Sequence, residues 1–152
     1  PAVVMVQIDL GRSNRALARL GDLLDTVLRN TFFDLVENIV VGGQYSPGTP
    51  VDTGFARSSW WVSLNGPGTA PQGSRPGERA AATGTAYPPE LGVARAGDVF
   101  WLNSNCVYIR RLEYEGHSPQ APGGMVRLAV AAAPEILQRH VAAAEQARRG
   151  GG

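Results

Sequence analysis

The stretch Thr49-Pro50-Val51-Asp52-Thr53-Gly54-Phe55-Ala56-Arg57-Ser58-Ser59-Trp60-Trp61 divides the chain into two kinds of pattern. Before it, apolar residues recur at helical spacing; after it come short β-prone runs. Pro50 cannot sit in a helix interior and biases Thr49 toward an extended backbone. Asp52 and Thr53 have short side chains that bond neighbouring backbone N–H groups in turns, and Gly54 tolerates positive φ. From Arg57 the chain opens an aromatic, strand-favouring run. The stretch therefore predicts a hinge where helix gives way to sheet.

Upstream, Val3, Val4, Val6 and Ile8 make a short β-prone opening, suited to an edge strand. Asp9 or Ser13 can cap a helix that starts just after it. Over residues 13–41, Leu17, Leu20, Leu24, Val27, Leu28, Leu35 and Ile39 share one helical face, while Arg15, Arg19, Asp22, Asp25, Arg29 and Asp34 mostly fall elsewhere. Gly21 marks either a kink or a later start, and Gly42-Gly43 ends the helix. The apolar stripe suits a core, with a share of it available to a neighbouring subunit.

Downstream, residues 57–64 read as a strand. Residues 65–89 hold much of the Gly and Pro and predict a loop or a long hairpin arm. Residues 90–95 read as one helical turn, 99–102 as a second strand and 103–105 as a turn. Residues 108–115 predict a short helix with Ile109 and Leu112 on one side, an Arg110–Glu113 surface pair on the other, and a stop at Gly116. Residues 117–124 form an irregular connector. Residues 125–130 read as a strand, because Val126, Leu128 and Val130 alternate with Arg127 and Ala129. Pro134 suits the first turn of a last helix carrying Ile136, Leu137, Val141 and Ala144, and residues 148–152 predict a frayed tail. These elements describe an α+β fold in one domain over residues 1–152. It has a long N-terminal helix, a small, mostly antiparallel sheet with a long loop or hairpin arm, a short helix and a C-terminal helix.

Composition narrows the function classes. The 152 residues carry a net charge of +1, with no Lys among the basic side chains. That balance gives little electrostatic drive toward nucleic acid or anionic membrane. Cys106, the single cysteine, excludes an intrachain disulfide and a cysteine-based zinc site, and suits a small apolar filler. A reducing place of synthesis fits. No apolar run approaches a membrane span. The first ten residues lack the basic start and cleavage site of a signal peptide, and Pro1 fits removal of an initiator Met.

No residue set predicts catalysis, a metal or a cofactor. Ser118, His117 and Asp98 could be assembled into a triad on paper, but there is no nucleophile elbow, and adjacent Ser and His rarely make a nucleophile–base pair. Glu113, Glu115 and His117 do not converge naturally as ligands, and Gly42-Gly43 and Gly123-Gly124 lack the Lys-Ser or Lys-Thr of a phosphate loop. A small hydrolase using His117 with Ser118 or Glu113, and a DNA-contacting plug using the arginines, stand as rivals to a structural role. The aromatics are more telling. Trp60, Trp61, Trp101, Tyr108 and Tyr114 serve either the core and cross-strand pairs or a subunit interface.

Two blocks carry a resemblance. The first is Pro50-Val51-Asp52-Thr53-Gly54, with Arg57 and Trp60 shortly after it. The second runs from Val99 through Leu112-Glu113-Tyr114, Gly116-His117-Ser118 and Gln120-Ala121-Pro122 to Gly124-Met125-Val126. In this order and spacing they resemble the tail-completion and neck proteins of tailed bacteriophages, small head–tail joining proteins of long-tailed phages and related prophages. The likeness covers about residues 46–130 and departs from the pattern at Glu115, which lengthens the Leu-Glu-Tyr-Gly run.

The resemblance implies a non-enzymatic virion component, made in the host cytoplasm, with no cofactor. It implies a self-assembled ring, commonly a hexamer, between the head connector with its adaptor or stopper proteins and the tail terminator or tail tube. Weak contact with packaged DNA is compatible with that place, as is the neighbouring role of a tail terminator. It implies that Pro50, Val51, Asp52, Thr53, Gly54 and Arg57 shape the turn and that Trp60 anchors the first strand. Tyr108, Arg111, Glu113, Tyr114, His117, Gln120 and Met125 are its candidate interface residues.

Overall fold

The computed structural model describes residues 15–70 and 89–151. The β-prone opening at Val3–Ile8 and most of the 65–89 loop lie outside these residues. Helix α1 spans Arg15–Val40 and passes through Gly21 without a break. A single turn of helix, α2, covers Phe55–Ser58, and strand β1 covers Trp60–Leu64. A 3-10 turn comes next at Pro89–Val93, then β2 at Phe100–Ser104. Three helices complete the chain: α3 at Ile109–Tyr114, α4 at Val126–Ala131 and α5 at Ala133–Gly150. The architecture is α+β.

The strands form one antiparallel pair with Trp60 opposite Ser104 and Leu64 opposite Phe100. Trp60 and Val62 are buried and Trp61 between them is half-buried, as two-residue alternation requires. The inner face packs on the second half of α1, where Val36, Ile39 and Val40 meet Phe55, Trp60, Val62, Leu91, Leu112 and Met125. Phe32 of α1 lies against Phe100 of β2 with ring centroids 4.8 Å apart. Burying a side chain the size of Phe55, Leu91 or Met125 stabilises the fold by about 1.5–3 kcal/mol each.

Several expectations from the sequence are corrected. The first strand begins at Trp60, because Phe55–Ser58 coils into α2 behind Gly54, whose φ is 86°. Helix α1 does end where the glycine pair was expected to end it, at Val40 just ahead of Gly42 with φ 105°, so Pro50 lies ten residues beyond it. Asn103 and Ser104 belong to β2, not to a turn.

The largest difference is α4. Alternation in residues 125–130 suggested a strand with Val126, Leu128 and Val130 inward. Instead Met125 and Ala129, one helical turn apart, are buried, and Leu128 and Val130 are exposed. Nor does Glu113 pair with Arg110. It turns inward, and Arg111 meets Glu115 at 3.4 Å one turn later. Pro134 sits in the first turn of α5 as expected, and that helix stays regular to Gly150.

Candidate functional site

The first sequence block is built around the C-terminal end of α1. Helices leave their last carbonyls without intrahelical partners, and these need donors from elsewhere. Here Thr49 supplies two: its N–H donates to Val40 O at 3.1 Å and its hydroxyl to Ile39 O at 2.8 Å. The Thr49 hydroxyl in turn accepts the Trp60 indole N–H at 2.9 Å, so the anchor of β1 is tied to the end of α1. Arg57 donates from Nε and Nη2 to Thr49 O at 3.3 and 3.1 Å, and from Nη2 to Val41 O at 3.4 Å. A cation at this end also complements the helix dipole. Gly48, at φ 78°, lets the returning chain pass so close that an added Cβ would lie 2.5 Å from Val41 backbone.

The second block is built around Glu113. Its side chain is buried, and its carboxylate accepts the N–H groups of Met125, Val126 and Arg127 at 2.8, 2.8 and 2.9 Å. Arg127 adds its Nε at 2.9 Å and reaches Glu113 O with Nη2 at 2.6 Å. This carboxylate thus caps the start of α4 from a distant helix, satisfying the donors that a helix N-terminus leaves open. Burial by itself would raise the Glu113 pKa; the three backbone N–H groups and the guanidinium outweigh it and hold the carboxyl below its ordinary value. Gly124, at φ 83°, is required here, because a Cβ would lie 2.6 Å from Glu113 O.

The two blocks meet. The Gln120 side-chain amide pairs with the Val51 backbone in both directions, each bond 3.0 Å long. Ser46 donates to Met125 O at 3.0 Å and closes the other side. Between the 50–54 turn and the 117–120 connector lies an open cleft of about 600 Å³. Pro50, Phe55, Ala56 and Leu112 supply its apolar floor, and Asp52, Arg111 and His117 stand exposed among its walls. Tyr108 also lines it, with its ring centroid 6.0 Å from that of Phe55. Burial, then the neighbouring Cys106 and Asp52, raise the Tyr108 pKa, so its phenol stays neutral.

The candidate residues read from the sequence are thus only partly brought together. Pro50, Val51, Asp52, Thr53, Gly54, Tyr108, Arg111, His117 and Gln120 all line the cleft. Arg57 and Trp60 sit behind it, on the end of α1. Glu113 and Met125, expected at an interface, are 5% and 0% exposed and serve the interior instead. Tyr114 is 62% exposed and stacks with Arg127, whose guanidinium carbon lies 4.8 Å from the ring centre.

The paper triad is not assembled. Ser118 Oγ accepts the Gln120 N–H, while Asp98 is bonded to Asn65 and to the Arg95 N–H in another part of the molecule. Among the described residues, no group of three or more His, Cys, Asp or Glu side chains is placed to hold a metal ion, and no helix is long and apolar enough to cross a membrane. Sequence reasoning missed Asn38, whose amide donates to Asp34 O and accepts the Tyr45 N–H, and it missed Arg127 as the partner of Glu113. No local pattern marks either, since both act across turns. Comparison with protein-family models, with curated proteins and with solved structures finds no match to this chain.

Proposed function

We propose that this chain is a non-enzymatic structural subunit of a tailed phage, a ring-forming tail-completion or neck protein that joins the head connector to the tail. The observation that carries this reading is the meeting of the two sequence blocks around one cleft, held by the Gln120–Val51 clasp. Residues far apart in the chain are spent on fixing the shape of one surface. Behind that surface Thr49, Arg57 and Glu113 bond to backbone, and Gln120 does so on the surface itself. That pattern suits a building block, whose product is a surface.

On this reading the subunit repeats as a ring, a hexamer in the phage neck, with head adaptor or stopper proteins on one side and the tail tube or its terminator on the other. The dispersed arginines permit loose contact with DNA passing through the ring. Mass spectrometry and electron cryo-microscopy of purified virions test the reading. The expected result is a few copies of the chain per particle, located at the head–tail joint, and unjoined heads and tails when its gene is deleted. Absence of the chain from intact particles would overturn it.

A further inference from the structure

The cleft has a counterpart elsewhere on the same molecule. The 3-10 turn Pro89–Val93 is held down by Leu91, which is 0% exposed, and by Ala94 at 1%, while Val93 on its outer side is 73% exposed. The backbone just after this turn is fixed from several directions. Arg29 Nη1 donates to Ala94 O at 2.8 Å and the Ala96 N–H donates to Asp25 Oδ1 at 2.7 Å. The Arg95 N–H donates to Asp98 Oδ2 at 2.8 Å, and Asn65 ties Asp98 to the Val99 N–H. Backbone bonding from Arg95 and the Asn65 amide hold the Asp98 carboxyl below its ordinary pKa, so the clamp stays charged at neutral pH. A single exposed valine is ordinary on a protein surface. One raised on a turn with this many fixings is a rigid apolar knob, and it is flanked by the exposed charges of Glu90 and Arg95.

The cleft offers the complementary set. Its floor is apolar, and its walls carry Arg111 and Asp52, one charge of each sign. Arg111 is paired with Glu115, and the two side chains are each 58% exposed, so water and a better partner readily exchange with that bond. Knob and cleft cannot meet within one chain. The knob is tied to α1 at Asp25 and Arg29, whereas the cleft lies beyond the C-terminal end of α1 at Val40. Arg29 and Val40 are roughly 16 Å apart at the helical rise.

We infer that the Val93 knob of one copy seats in the 50–54/117–120 cleft of a second copy, with Glu90 facing Arg111 and Arg95 facing Asp52. Two different patches of one subunit make a heterologous contact, which propagates head to tail and closes into a ring when the rotation allows. The inference rests on the ring reading above for its closure, but the pairwise contact stands or falls by itself.

The test mixes two single variants of the full chain, Val93→Cys and His117→Cys, and treats them with a short thiol-to-thiol cross-linker. Cys106 is buried in both and leaves the background silent. The expected product is a covalent dimer that requires both variants and is absent with either alone. A companion series uses Glu90→Arg, which lowers the oligomer fraction at fixed concentration by about tenfold, and Glu90→Arg with Arg111→Glu, which restores it. Glu90, Val93, Arg111 and His117 are all exposed, so folding is preserved in every variant and is checked by circular dichroism. No mixed dimer, or an oligomer indifferent to Glu90→Arg, overturns the inference even if rings are seen. A mixed dimer from a chain that is missing from virions upholds the contact and overturns the phage role instead.

Discussion

The C-terminal end of α1 and its flank are secured in different ways. At the end, Thr49, Arg57, Trp60, Ser46 and Glu113 form a network of buried or half-buried bonds, closed at the surface by Gln120. Along the flank, α5 is mostly exposed, with Ile136 as its one buried side chain. Polar contacts at its first turns secure it further: His140 to Asp34 at 3.0 Å, Tyr45 to Glu135 at 3.0 Å and Arg139 to Tyr45 at 3.2 Å. The first region is defined by groups that have no alternative partner once buried. The second is a helix attached along one edge, with Leu137 and Val141 left in water. Local stability tracks buried, fully partnered groups, so the first region should open only with the whole domain and α5 should open before it.

The strongest way to break this contrast is Glu113→Ala. It orphans three backbone donors at the start of α4, and we expect a loss of about 3–5 kcal/mol in denaturant unfolding. Ile136→Ala comes next, at about 2–4 kcal/mol, and should release α5 to hydrogen exchange while the Thr49–Trp60 amides stay protected. If those amides lost protection together with α5, the two regions would be one cooperative unit and the contrast would fail. Thr49→Val removes a hydroxyl that bonds both Ile39 O and the Trp60 indole, and should cost about 2 kcal/mol with a change in Trp fluorescence. His140→Ala should cost less than about 1 kcal/mol, since the His140 and Asp34 side chains are both partly exposed.

Glu113 also sharpens the comparison through pH. Its folded-state carboxyl lies below the ordinary value of 4.5, so the unfolded chain binds the proton first as pH falls. Its stabilisation is complete above that ordinary value and is lost as pH drops through the folded value. Urea melts from neutral to acidic pH should show the wild-type chain losing stability below about pH 4.5. Glu113→Gln starts weaker and should show a flatter acid limb. Equal slopes would mean that another carboxylate governs acid unfolding.

Much of the fold was legible because its cause is local. The 3.6-residue spacing of Leu24, Val27, Leu28, Leu35 and Ile39 marks α1, Gly42 marks its end, and Pro134 marks the start of α5. The strand pair was legible from Trp60-Trp61-Val62 and Phe100-Trp101-Leu102, apart from its boundaries. Residues 125–131 were not, because their alternating pattern fits a strand as well as it fits a short helix. Within the site, the residue types at 50–54 and 117–120 were visible as turn chemistry, and their meeting was not. Nothing local says that Gln120 reaches Val51, or that Glu113 points inward while its neighbour Arg111 points out.

By itself, then, the sequence determined where backbone must turn and which faces are apolar, since φ limits at Gly and Pro and side-chain periodicity act within a few residues. The tertiary structure alone decided that α4 is a helix, that Glu113 and Met125 belong to the interior, and that two distant blocks border one cleft. Those outcomes depend on hydrogen-bond donors and acceptors that find each other across the fold. A buried carboxylate is stable only where such donors converge, and no stretch of sequence contains its own convergence.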